Sequence, residues 1–172
     1  VRPDELRNLP EPDGAGAGEP DPLAALAAPG PFFALRTGRP PTGAVPLAQV
    51  YAGETAPLRS RLDLVAARLR TGEGRVAASL AQQGLASRLW SVALGSAVLL
   101  GRLPDLAPDR LWWSPSAAAP DELWLPGPRL WPLPADPPAA LWTAVYRDHL
   151  EPLTAAIRRL DPVAPGQQRG GE

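Results

Sequence analysis

Apolar positions recur at helical spacing in three stretches of this chain and bunch at strand spacing in a fourth. Leu58, Leu62, Val65 and Leu69 fall on one stripe, with Arg59, Arg61, Arg68 and Arg70 on its flanks. Thr55 suits an N-cap, Pro57 sits in a first turn where a missing N–H costs little, and Gly72 lies past the end. The pattern predicts an amphipathic surface helix from about Pro57 to Arg70. From Arg75 to Leu100 the period is again helical, but Val76, Leu80, Leu94 and Val98 lie on one side and Leu85, Val92 and Leu99 on the other. A helix with no polar face is expected to be central and buried all round. Ala77, Gly84 and Gly95 lie close to one line on its surface, which would admit a close neighbour. A last helix from about Pro138 to Leu160 gathers Trp142, Val145, Tyr146, His149, Leu153, Ala156, Ile157 and Leu160 on one stripe, opposite Arg147, Asp148, Glu151, Arg158 and Arg159. Pro152 removes a backbone donor and is expected to bend it.

Between the second and third helical stretches, proline and tryptophan dominate. Arg110 to Trp113, Glu122 to Leu125 and Arg129 to Trp131 read as short strands, with Pro126-Gly127-Pro128 as the turn joining the last two. The expected architecture is mainly α with a small antiparallel β-sheet, an α+β single domain. Residues 1–30 read as a disordered Pro/Gly-rich arm with one short helical turn at Leu23 to Leu26, and its removal should be tolerated. Phe32 to Leu35 anchors this arm to the core. The folded domain is expected over 31–161 and a polar tail over 162–172.

Composition narrows the function classes. The chain has 172 residues, 45% of them hydrophobic, which suits one ordinary domain. Its 24 prolines and 16 glycines account for the loops and the arm. The formal net charge is −1 and the charges are dispersed, so neither nucleic acid nor an anionic membrane surface is an expected partner. All basic residues are arginine, which points to a GC-rich, bacterial genome. The apolar run Leu89 to Leu100 between Arg88 and Arg102 is too short for a bilayer, which needs about 20 residues. With Val1 first and no methionine, the chain is expected to carry an alternative start or to be cut from something longer. No cysteine is present, which excludes thiol chemistry, disulfides and sulfur ligation of a metal. Walker and Rossmann phosphate loops, paired histidines, EF-hand loops and Gly-x-Ser-x-Gly elbows are also missing, so no motif identifies an enzyme and no metal site is expected.

Six residues remain as candidates for ligand binding. His149 is the one histidine, set in the apolar stripe one turn before Pro152. It either handles a ligand or proton there, or is a core histidine bonded to a carbonyl or water. Arg88 lies within the apolar helix, where an unpaired guanidinium is costly. It is expected to meet an acid such as Asp148 or Glu151, an anionic ligand, or solvent. Trp112, Trp113, Trp124 and Trp131 either form an aromatic wall for a flat ligand or cation, or close a small sheet over a helix.

The run RVAASLAQQGLASRLWSVALG from Arg75 to Gly95, followed by GRLPDL from Gly101 to Leu106 and YRDHLEPL from Tyr146 to Leu153, resembles the body of the ferric-siderophore iron reductase family, the FhuF-like proteins of bacteria. The resemblance covers roughly Phe32 to Leu160. It implies a cytoplasmic protein, often associated with the inner face of the membrane, that reduces siderophore-bound ferric iron. In that family a two-iron, two-sulfur cluster on four C-terminal cysteines carries the electron. This chain has no cysteine, so no cluster ligand is carried over and no cofactor is expected in it. The resulting expectation is a truncated or divergent siderophore reductase-like protein of iron acquisition without its own cluster, with a ferric siderophore or a partner protein as ligand. The alternative is a non-redox interaction domain that reuses the scaffold.

Overall fold

A computed structural model describes residues 21–70, 72–117 and 121–160. The first described element is a 3-10 turn, Ala24–Ala27, whose flanking Leu23 and enclosed Leu26 are both buried in the main core. The short helical turn expected at Leu23 to Leu26 is present, and its leucines belong to the core rather than to a free arm. Two leucines three residues apart share one face of a tight turn, and that face is covered by the rest of the fold. The remainder of the arm and the polar tail 162–172 lie outside the described residues.

Five α-helices follow among the described residues. A short α1, Leu47–Ala52, leads into α2, Thr55–Leu69, with Glu54 rather than Thr55 at the N-cap position and no side-chain capping bond. Next is α3, Gly74–Gly95, extended by a π-helical turn, Ser96–Leu100, and stopped by Gly101 in the left-handed region. The chain closes with α4, Pro137–Leu141, a π-helical segment Trp142–Leu150, and α5, Glu151–Leu160. Asp136 caps α4 by accepting the Ala139 N–H at 3.1 Å, with Pro137 and Pro138 in the first turn.

The π-helical segment is the local answer to Pro152. Proline offers no N–H to the Asp148 carbonyl, and a wider ladder ends just before it. It also explains a strict spacing: Leu141, Val145, His149 and Leu153 are all buried. Residues four apart drift off one face of a 3.6-residue helix, and the wider turn offsets that drift. Trp142, expected inside the stripe, is exposed instead and stacks on Tyr146 with ring centroids 4.1 Å apart.

Among the described residues, five short strands make two antiparallel sheets rather than one. β1, Val45–Pro46, pairs with β3, Trp112–Ser114, which pairs with β4, Glu122–Trp124; separately, β2, Arg102–Pro104, pairs with β5, Leu130–Pro132. The turn at Pro126 to Pro128 therefore does not close a hairpin. Its prolines cannot donate to a ladder, and Leu125 N–H goes to the Arg36 carbonyl, so β5 leaves for the other sheet. The whole is α+β, helical for the most part, and none of the described helices is long and apolar enough to cross a membrane.

The core joins Leu85, Leu89, Val92 and Ala93 of α3 to Leu123, Leu125, Trp113, Val145 and Leu153. Contrary to expectation, α3 and its π-helical extension are not buried all round: Val76, Leu80, Leu94, Val98 and Leu99 are exposed. Its neighbours cover only one side, because α2, the strands and α5 all pack within that half. Arg61, expected on the flank of α2, is buried, while Leu69 is exposed.

Candidate functional site

The buried charges converge on Asp121, the residue just before β4. Its carboxylate oxygen Oδ1 accepts the Trp113 indole N–H at 3.0 Å and pairs with the Arg61 guanidinium at 2.8 Å. Arg61 also donates to the Ala117 carbonyl at 2.8 Å. It sits three residues after Leu58 on α2, so the helix that buries Leu58 carries the guanidinium inward with it. Gly84 of α3 makes room for this centre: a Cβ there would stand 2.8 Å from Asp121 Oδ2.

Arg88, one turn further along α3, meets neither Asp148 nor Glu151. Its Nε donates to the Asp121 carbonyl at 2.6 Å and its two terminal nitrogens donate to the carbonyls of Phe32 and Ala34. The planar fork thus ties the Phe32 to Leu35 segment to the start of β4. Burial lowers the Arg88 pKa to about 10, against the opposing pull of Asp121, and the group stays charged at neutral pH. The expected acid partner on the last helix is replaced by carbonyls because Arg88 projects toward the strand side of α3.

A second polar centre surrounds His149, which is fully buried. A carbonyl can only accept, so the 2.6 Å contact with Leu106 makes Nε2 the protonated nitrogen. Nδ1 then accepts the Tyr51 hydroxyl proton at 2.9 Å. Burial lowers the His149 pKa to about 4 and raises that of Tyr51. Both ring nitrogens are occupied by protein partners, and the imidazole is neutral at physiological pH.

The four tryptophans do not form one wall. Trp113 is in the core with its N–H on Asp121, and Trp131 faces Leu103 in the other sheet. Only Trp112 and Trp124 come together, as cross-strand partners. Arg36 lies over the Trp124 ring at 5.6 Å and pairs with Glu122 at 2.6 Å. Hollows open to solvent among the described residues include one of about 260 Å³ above Arg61 and Asp121, bounded by Phe32, Val65, Leu69 and Leu80, and one of about 320 Å³ along Tyr146, Leu150, Thr154 and Arg158.

Asp121, Arg61 and Tyr51 were not among the candidates. Arg61 had a signal, since Leu58, Arg61, Leu62 and Val65 keep the i, i+3, i+4, i+7 spacing of a buried face. Asp121 and Tyr51 had none, because their partners lie on other elements.

The residues present do not fit a two-iron, two-sulfur cluster. The chain has no thiolate, His149 has no free nitrogen, and the described residues hold no group of three or more His, Asp or Glu placed to bind a metal ion. The chain matches no known family model, no curated protein and no solved structure.

Proposed function

We propose that this domain is a binding unit of the ferric-siderophore reductase type, engaged with siderophore-bound iron but carrying no cluster of its own. The observation that supports this reading is how the three sequence runs resembling that family are joined. His149, in the run Tyr146 to Leu153, donates to the Leu106 carbonyl that ends the run Gly101 to Leu106. Gln82, in the run Arg75 to Gly95, donates at 2.8 Å to Thr154, one residue past the third run. Stretches far apart in sequence thus form one scaffold, and the polar residues shared among them act in its assembly. The cross-strand neighbours Trp112 and Trp124, with Arg36 over the Trp124 ring and paired to Glu122, are where contact with a ferric chelate is placed.

Titration of the purified chain with a ferric trihydroxamate and a ferric triscatecholate tests this, read by tryptophan fluorescence after inner-filter correction. Saturable quenching by one of them is expected, with the iron left ferric. Linear quenching by both defeats the reading. Charge-transfer bands with stoichiometric iron and sulfide after reconstitution would defeat its cluster-free part. A non-redox interaction domain is the second reading, favoured by the uncovered apolar side of α3.

A further inference from the structure

The solvent-facing side of α3 breaks the ordinary rule for a surface helix, which places charges opposite the buried stripe. From Val76 to Val98 the one charged residue is Arg88, and it is buried. The large residues on the open side are Val76, Leu80, Leu94 and Val98, exposed at 38%, 40%, 44% and 79%. Between them lie Gln83, Ser87 and Ser91, short or uncharged.

The four apolar residues read the same in both directions about Ser87, and Gln83 and Ser91 occupy a mirrored pair of polar positions. Val76 and Val98 are equally distant from it, as are Leu80 and Leu94. A helix laid antiparallel on a copy of itself, with a two-fold axis at Ser87, sets each valine against a valine and each leucine against a leucine. That self-complementarity is what an isologous interface requires. The small Ser87 at the crossing permits close approach of the two backbones. The surface also offers a socket. Leu80 lines the hollow of about 260 Å³ with Phe32, Val65 and Leu69, beside the charged Arg61, Arg68 and Asp121, and Leu94 of a second copy would arrive opposite Leu80.

We propose that α3 is the interface between two copies of this chain, packed antiparallel about Ser87, with Leu94 of each seated in the hollow beside Leu80 of the other. The stripe is about 33 Å long and about 10 Å wide, on the order of 350 Å² per copy. This is roughly half of what a standard interface buries on each partner, and exposed Phe32 and Leu69 enlarge it. The dimer is therefore weak and concentration-dependent. It does not depend on siderophore binding.

The chain's lack of cysteine makes the test direct, because every disulfide formed must come from an introduced thiol. Sedimentation velocity on the full chain should show mass rising toward twice the monomer over about 1 to 300 μM, and Leu94→Glu should weaken association at least about tenfold. Under mild oxidation Ser87→Cys should cross-link to itself. Val76→Cys should not, since its two copies lie about 33 Å apart across the axis. A mixture of Val76→Cys and Val98→Cys should give the mixed dimer. A chain monomeric throughout the range, or Val76→Cys cross-linking as fast as Ser87→Cys, overturns the proposal. So does a monomer that co-sediments with phosphatidylglycerol vesicles through the same stripe.

Discussion

Asp121 holds two donors on one carboxylate oxygen, and its loss would leave Arg61 charged and buried without a counter-ion. Asp121→Ala is therefore expected to cost about 3 to 5 kcal/mol in urea denaturation. Replacing the pair together, Arg61→Met with Asp121→Leu, should recover much of that loss, because a buried ion pair spends most of its attraction on desolvation. His149 gives a pH signature. Its folded pKa of about 4 lies below the ordinary value near 6.5, so between those two values the unfolded chain binds a proton that the native one does not. The contribution of His149 is fully present above about pH 6.5 and falls as pH drops toward 4, by on the order of 3 kcal/mol. In His149→Gln this part of the acid slope should vanish, as measured by denaturation midpoints across that range.

Among the elements, α3 shows how one helix makes room for two neighbours. Gly95 lets the Phe33 ring approach to 2.8 Å of where a Cβ would stand, and Gly84 does the same for Asp121. Alanine ordinarily stabilises a helix interior by about 1 kcal/mol over glycine. At Gly84 it would press on a carboxylate oxygen held in place by Arg61 and Trp113, and the overpacking term of about 1 to 3 kcal/mol outweighs that gain. Gly84→Ala should lower the thermal midpoint, and Gly84→Leu should lower it further. The π-helical segment belongs to the same scale. Pro152 was visible as a disturbance, but whether the helix would bend or widen depended on keeping Val145, His149 and Leu153 on the core side.

For the molecule as a whole, the turn Ala24–Ala27 is part of the core. Leu26 is fully buried and packs near Gly95, so Leu26→Ala is expected to cost about 2 to 5 kcal/mol. Deleting residues 1–28 removes Leu23 as well and should lower the melting temperature by more than Leu26→Ala alone. Calorimetry of the two variants checks the order. The two sheets likewise show why strand positions were easier to read than their pairing. The alternation and turn residues marking β3, β4 and β5 are local, whereas β2 pairs with β5 across the intervening sheet.

Repetition every three or four residues is a property of the chain itself, so the sequence alone determined the three long helical stretches, the helix-dominated α+β class and the absence of any thiolate chemistry in this chain. It also marked His149 and Arg88 as polar groups on apolar faces. Their partners were decided only by tertiary structure: Leu106 and Tyr51 for the first, the carbonyls of Phe32, Ala34 and Asp121 for the second. The same holds for the burial of Arg61 and for the open side of α3. A side chain's spacing says which face it shares, but whether that face meets core, carbonyl or water depends on segments distant in sequence, and no local period encodes them.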